Sequence, residues 1–206
     1  METKLFNQEW KEIGVIELDQ NIFWLDVNNW LIHRALVYQL ANARKNIAHT
    51  KTRSDVRWST RKIYKQKHTG NARAWSSRSP VRRKWWVVFW PRNNRNFTLE
   101  MNKKERRKAL FCALSSKVLN NEILIVDDIK LDAIKTKTMV SIFSKLPYEK
   151  NVLLVSPVKN EVLYKSSANL PYVKTILADY LNIADLLKYK TLILLKESLE
   201  KINALK

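Results

Sequence analysis

The 206-residue sequence is almost free of glycine and contains a single cysteine. Glycine occurs only at Gly14 and Gly70, where average usage would give roughly 14. Glycine-rich phosphate-binding turns, which dinucleotide-binding folds and P-loop enzymes require, therefore have no counterpart in this chain. The lone Cys112 excludes an intramolecular disulfide and a thiolate zinc cluster, and it is expected to be a small buried apolar residue.

Long apolar runs are also missing. No run approaches the 18 residues of a membrane-spanning helix, so we predict that no part of the chain spans a membrane. The N-terminal segment METKLFNQEWKE lacks the apolar core of a signal peptide, which predicts a cytoplasmic protein.

Residue patterns for catalysis are weak. Asp127 and Asp128 follow an apolar run, but adjacent strand residues point to opposite faces, so a solvated turn is favoured over a shared carboxylate site. The three histidines have no metal-ligand spacing, and no nucleophile–base pair can be assembled. We therefore predict no catalytic residue, no metal and no cofactor.

Positive charge dominates what is present. The 38 lysines and arginines outnumber 19 acidic residues, which gives a net charge of +19. This balance predicts a polyanionic partner, nucleic acid first and an anionic membrane surface second. Residues 44–95 contain 16 of the cations and one acid, Asp55. So long a segment with little apolar periodicity is either functional or disordered.

Two interpretations of residues 44–95 stay open on composition alone. Five tryptophans interleave with the cations, as in proteins that stack unpaired bases. The other interpretation is a disordered insertion with no defined site. A second basic run, residues 103–108 (KKERRK), begins a predicted helix, where the helix dipole disfavours cations by about 0.3–1 kcal/mol each. We favour an RNA-facing role for it as a secondary contact.

The rest of the chain predicts an α/β fold. Short β-branched runs at 123–127, 152–156, 173–177 and 191–195 alternate with helical patterns at 138–146, 160–167, 183–188 and 197–205. Such continuous apolar strands predict a mostly parallel sheet of about four strands, flanked by helices, with 44–95 as a long basic loop insertion. Earlier, 13–18 and 22–25 are expected to be short strands. Asn28 or Asn29 is expected to cap a helix through Lys45, and Asn102 with Glu105 to form a capping box.

One stretch resembles a known family. Residues 62–117 (KIYKQKHTGNARAWSSRSPVRRKWWVVFWPRNNRNFTLEMNKKERRKALFCALSSK) are similar to the bacterial large-subunit ribosomal protein four family. That family carries a Gln-Lys-Gly-Thr-Gly-Arg-Ala-Arg stretch, a Gly-Ser-x-Arg-Ser-Pro segment, a glycine-rich Val-x-Phe-Gly-Pro turn and a basic helix ending Ala-Leu-Ser. The similarity extends into residues 7–18 and 169–194, and so covers nearly the whole chain.

The resemblance implies a single ribosomal-protein domain over residues 1–206. It also implies a structural protein of the large subunit that binds its RNA early in assembly and lines the peptide exit tunnel with its loop tip. Its partners would be large-subunit ribosomal RNA, neighbouring ribosomal proteins and the nascent peptide, with no membrane partner. The tip would comprise Lys65, Gln66, Lys67, Thr69, Gly70, Ala72 and Arg73. Further RNA-binding residues would be Arg53, Arg57, Arg61, Lys62, Arg78, Arg82, Arg83 and Arg92, together with Lys103 and Arg107 on the basic helix. A free α/β RNA-processing or RNA-modifying enzyme with a substrate-gripping loop is the alternative.

The sequence departs from the family pattern at the tip and at its tryptophans. His68 stands where the family has glycine, and Asn71 where it has arginine. All eight tryptophans fall where family members carry or accept glycine: Trp10, Trp24, Trp30, Trp58, Trp75, Trp85, Trp86 and Trp90. Glycine permits a positive φ and close backbone approach to phosphate, both of which a large side chain opposes. We hypothesise that these positions are UGA codons that the organism reads as glycine.

The tryptophan hypothesis predicts UGA at all eight codons of the gene. It also predicts a native intact mass lower than that of the printed sequence by eight tryptophan–glycine differences. Ordinary UGG codons at these positions, or a native mass matching the printed sequence, would reject it.

Overall fold

The computed structural model describes residues 2–83, 88–131, 133–146 and 151–205, without the side chain of Arg83. The chain forms two compact units, one of Met1–Leu40 with Leu99–Lys206 and one of Ala41–Thr98. The strands are β1 (Glu2–Phe6), β2 (Glu12–Glu17), β3 (Ile123–Val126), β4 (Val152–Ser156), β5 (Val173–Leu177) and β6 (Thr191–Leu195). The helices are α1 (Gln20–Phe23), α2 (Asn29–Ala43), α3 (Pro80–Arg83), α4 (Lys103–Leu119), α5 (Thr136–Ser144), α6 (Glu161–Ser167), α7 (Ile183–Lys188) and α8 (Lys196–Asn203).

One mostly parallel sheet organises the larger unit, which confirms the predicted α/β class. Its strand order is β2-β1-β3-β6-β4-β5, and only the β1–β2 pair is antiparallel. Every residue of β3, β4 and β6 is buried, as expected for parallel strands covered on both faces. The sheet has six strands rather than about four. The strand that the sequence pattern missed is β1, whose only buried residue is Leu5.

Two apolar clusters cover the two faces of this sheet. Alternate residues of the central strands enter each cluster, with Ile125 on one side and Leu124 on the other. Helices α1, α2, α4, α7 and α8 contribute buried residues to the first cluster, and α5 and α6 to the second. This two-sided burial gives the sheet unit a sizeable core of its own.

Two local predictions were wrong. Residues 22–25, expected to form a strand, contain the end of the one-turn helix α1 and its C-terminal cap, Trp24. There the Asp19 side chain accepts a hydrogen bond from the Asn21 amide, and the turn buries Ile22 and Phe23 together. The capping box at α4 does not form. The helix starts as predicted after Asn102, but the Asn102 side chain makes no capping hydrogen bond. At α2, Asn28 rather than Asn29 caps the helix, by accepting from the Leu31 amide at 3.1 Å.

Lys117 joins α4 to the sheet with a nearly buried ammonium group. Its Nζ donates to Glu122 Oε2 at 2.6 Å and to the backbone carbonyls of Tyr189 and Lys190 at 3.0 and 2.8 Å. Removing the ammonium would leave these three acceptors without their donor in a site shielded from water.

We therefore predict that Lys117→Met destabilises the protein by about 3 kcal/mol, the usual cost of breaking a buried ion pair. Urea denaturation followed by circular dichroism measures the change. Lys137→Met, at an exposed position on α5, is the control and should leave the free energy of unfolding nearly unchanged. Equal stability of the two variants would contradict this role of Lys117.

Candidate nucleic-acid interface

Residues 41–98 form two arms that run out and return beside each other. Beyond the end of α2, the described residues of this unit form regular structure only in α3 and in a single antiparallel bridge between Lys62 and Ser76. Nearer the base, Asn46 Nδ2 donates to the Arg95 carbonyl at 2.6 Å. The Thr50 amide donates to the Pro91 carbonyl at 3.2 Å. In the part of this unit that the structure describes, hydrogen bonds between the arms, rather than a core of apolar side chains, therefore hold it together.

Asp55, the only acidic residue among the loop cations, links the two arms. Its Oδ2 accepts hydrogen bonds from the Thr52 amide at 2.9 Å and from the Thr52 hydroxyl at 2.6 Å. Arg92 of the returning arm donates to the same oxygen at 3.1 Å. The hydrogen bonds from Thr52, with a smaller contribution from the charge of Arg92, hold the pKa of Asp55 below its ordinary value.

Tyr64 connects the arms near the tip. Its hydroxyl donates to the Ala72 carbonyl and accepts from the Arg82 guanidinium at 2.6 Å. The Lys62 ammonium lies 4.7 Å from the centre of the Trp75 ring. These contacts pin the two arms together immediately below residues 65–71.

Four of the predicted RNA-binding residues thus have head groups engaged within the loop. Lys62, Arg82 and Arg92 make the contacts just described, and Arg78 donates to the Val56 carbonyl at 3.0 Å. Arg83 lies at the end of α3, and its side chain is outside the described residues.

Six other predicted cations are exposed and point their charge at solvent. Within the described parts of the chain, none of their head groups donates to a protein acceptor; they are Arg53, Arg57, Arg61, Lys65, Lys67 and Arg73. All six lie in the arms or at the tip between residues 53 and 73. This arrangement leaves their donors available for phosphate oxygens.

The tip turns through two residues with left-handed backbone. Gly70 has φ +65°, and His68 has φ +63°. A Cβ added at Gly70 would meet no atom within 4 Å, so the requirement there is conformational rather than spatial. The family's glycine at the position of His68 has the same explanation, since a non-glycine residue is strained in this region. Of the predicted tip residues, Thr69 is half-buried, and the others are exposed: Lys65, Gln66, Lys67, Gly70, Ala72 and Arg73.

The KKERRK run divides between two sides of α4. Arg106 donates to the Tyr38 hydroxyl on α2 at 3.3 Å, and Glu105 pairs with Arg34 of the same helix at 3.4 Å. Lys103 and Arg107 are one helical turn apart and exposed, which places both charges on the solvent side. The sequence predicted Lys103 and Arg107 as RNA-binding residues. It did not predict the contacts of Glu105 and Arg106 with α2.

The described residues give little support to a catalytic site, a metal site or a membrane span. Asp127 and Asp128 are exposed and pair separately, with Lys196 at 3.7 Å and Lys130 at 4.0 Å. Cys112 is buried, as expected. No group of three or more potential metal ligands occurs among the residues described. No described helix is long and apolar enough to cross a membrane.

Sequence reasoning missed two bracing residues, Asp55 and Tyr64. The sequence could have indicated Asp55, because a single carboxylate among sixteen cations is expected to form an ion pair with one of them. Nothing in the sequence indicated Tyr64, because its contacts with Ala72 and Arg82 depend on how the two arms pack against each other.

The tryptophans show the conformation predicted for glycine at one position. Trp10 has φ +64°, although its indole Nε1 also donates to the Ile142 carbonyl at 2.8 Å. Trp85 and Trp86 lie outside the described residues. The remaining five are exposed and lack a positive φ: Trp24, Trp30, Trp58, Trp75 and Trp90. The glycine hypothesis therefore stays a prediction, with Trp10 as its structural support.

Comparison with known proteins decides the family. A model described as the ribosomal protein L4/L1 family matches residues 16–205. The chain belongs to this family. Relatives named large ribosomal subunit protein uL4 include those of Agathobacter rectalis, 42% identical over 199 residues, and Lachnospira eligens, 43% identical over 199 residues. Each alignment covers 97% of this chain and 96% of the relative. The relative in Dehalococcoides mccartyi is 39% identical over 205 residues, covering 100% of this chain and 97% of its own length. The resemblance based on residues 62–117 is confirmed.

The Asp55 brace predicts a pH dependence in the loop of this L4/L1 family member. A lowered pKa means that the contact is present above the ordinary carboxyl value of 3.8 and is lost as the pH falls through the folded value. The Thr52 amide proton should therefore titrate in NMR spectra with a midpoint below 3.8. Asp55→Ala should abolish this titration, whereas Glu100→Ala should not. A Thr52 midpoint at or above the ordinary carboxyl value would show that the brace does not form.

Proposed function

We propose that this protein is a structural constituent of the large ribosomal subunit and binds large-subunit ribosomal RNA. Its family consists of ribosomal proteins rather than enzymes, and the relatives that it matches over nearly their full length are named as large-subunit proteins. It is a ribosome-bound, cytoplasmic protein. Its partners are ribosomal RNA and neighbouring ribosomal proteins.

The observation that carries RNA binding is the set of six exposed, unengaged cations on residues 53–73. Each can neutralise a phosphate and release counterions, so affinity falls with rising salt. The only carboxylate nearby, Asp55, is already occupied by Thr52 and Arg92. The loop therefore presents almost uninterrupted positive charge to RNA.

The predicted RNA-binding residues divide into two roles. Arg53, Arg57, Arg61, Lys65, Lys67 and Arg73 contact phosphates directly. Lys62, Arg78, Arg82 and Arg92 set the spacing of the arms and contact RNA from the sides of the loop. Arg83 of α3 is proposed as a further RNA-binding residue. Lys103 and Arg107 add a secondary contact on α4, where phosphates offset the cost of cations at a helix N-terminus.

The loop tip forms part of the wall of the polypeptide exit tunnel. Residues 65–73 lie farthest along the two arms, and the left-handed turn at His68 and Gly70 reverses the chain there. Exposed side chains such as Gln66 face the passing nascent peptide. Binding of the loop to RNA early in assembly orders the tunnel wall around it.

We predict that replacing the six exposed cations by glutamine removes most RNA binding. With about 0.7 of salt slope lost per phosphate contact, the slope of log K against log salt should become shallower by about 4. Filter binding to large-subunit RNA measures the slope. Sucrose gradients should show the unaltered chain at one copy per large subunit, and the variant largely unincorporated.

A matched variant tests whether position rather than total charge matters. Lys130, Lys137, Lys145, Lys159, Lys188 and Lys196 lie in the sheet unit, and glutamine at all six removes the same charge. This variant should retain incorporation and most of the slope. Absence of the unaltered chain from large subunits would reject the proposed function. Equal losses in the two variants would reject the assigned interface.

A further inference from the structure

The N-terminal hairpin has the opposite charge to the rest of the chain. Residues 2–19, which contain β1 and β2, carry five acidic and two basic side chains in a protein whose net charge is +19. Two of the acids are paired locally, Glu12 with Lys4 and Glu9 with Lys11. An acidic surface repels phosphate, so this end of the sheet is unsuited to RNA and suited to a basic partner.

Strand β2 leaves an edge of the sheet open. In the described parts of the chain, β1 lies on one side of β2 and no strand lies on the other. Alternate backbone groups of an edge strand point away from the sheet and can pair with an added strand. Glu17, opposite Glu2, places two carboxylates near one end of this edge.

Two large apolar side chains stand exposed on the same short strand. Ile13 is 58% and Val15 61% exposed. Val15 pairs with Lys4 of β1, and Ile13 lies at a register shift in the ladder. Exposed β-branched residues beside an open backbone edge are a liability in a free chain, unless a partner covers them.

Gly14, which pairs with Leu5 beside the register shift of the ladder, is not required there by lack of space. Its backbone is not left-handed, and a Cβ added there would meet no atom within 4 Å. Glycine weakens a strand, and a strand glycine often marks close approach of another chain. The open space at Gly14 can therefore receive a side chain of a strand added at this edge.

We infer that the outer edge of β2 binds an extended, basic segment of a neighbouring ribosomal protein. The segment pairs with the β2 backbone and covers Ile13 and Val15. It places a side chain against Gly14 and its cations near Glu2 and Glu17. This inference rests on the proposed function and adds to it the surface that faces protein rather than RNA. Pairing of β2 with a second copy is disfavoured, because it would place acidic edges together.

Photo-cross-linking in purified large subunits tests the inference. The photoreactive residue benzoylphenylalanine replaces Val15 in the full chain, and in a matched control it replaces Val158, which is 65% exposed. From Val15 we expect a cross-link to one ribosomal protein, within a Lys- and Arg-rich peptide identified by mass spectrometry. Val158 should not label that peptide. Cross-links from Val15 to RNA, to a second copy or to nothing would overturn the inference. The proposed function would still stand if the chain is present in the subunits.

Gly14→Val provides a second test, because it should not lower the stability of the free chain but should weaken binding of the partner. The β-branched side chain has open space and favours a strand, so the melting temperature of the free chain should not fall. In large subunits, the same side chain should displace the partner and lower its retention after a salt wash by about tenfold. Val158→Ile is the control. Unchanged retention with Gly14→Val would overturn the role of Gly14, and the Val15 cross-link decides the surface independently.

Discussion

Mutual repulsion among the sixteen cations of residues 44–95 is the constraint on which the loop depends. Two like charges 4 Å apart cost about 1 kcal/mol even in bulk water. A segment with this charge and few apolar residues cannot collapse onto a core of its own. It is ordered instead by hydrogen bonds between its arms, at Asp55 and Tyr64 above all. In the proposed interface, RNA phosphates supply the missing negative charge.

The sheet unit obtains its order from a different source. Strands β3, β4 and β6 are buried along their whole length, and helices cover both faces. Burial of apolar surface needs no counter-charge, so this unit is stable by the ordinary hydrophobic effect. The chain therefore combines a self-sufficient α/β unit with a loop whose electrostatic free energy is lowest against RNA.

Basic and acidic residues lie in different parts of the chain, and these parts suit different partners, RNA and protein. The loop and the exposed side of α4 are basic, while the hairpin of β1 and β2 is acidic and exposes Ile13 and Val15. A basic RNA-binding protein needs some surface that does not bind RNA non-specifically. The acidic edge of β2 repels phosphate, and in the inferred complex its open backbone pairs with protein.

Local pattern predicted much of this molecule. The runs at 152–156, 173–177 and 191–195 are strands with the predicted bounds. In the first and last, continuous β-branched and apolar residues suit a sheet covered on both faces, whereas 173–177 is a half-buried edge strand. The clustering of charge in 44–95 was equally legible, and so was the family motif. The one-turn helix at Ile22 and the polar strand β1 were not predicted, because each is defined by what packs beside it.

The sequence by itself determined the fold class and the basic loop, since periodicity and charge density are properties of neighbouring residues. Only the tertiary structure decided which cations are braced and which are left to solvent. Arg53 and Arg92 are both arginines of the basic loop, but only Arg92 donates to Asp55 across the two arms. Such pairings depend on residues far apart in the chain, which local sequence patterns do not reveal.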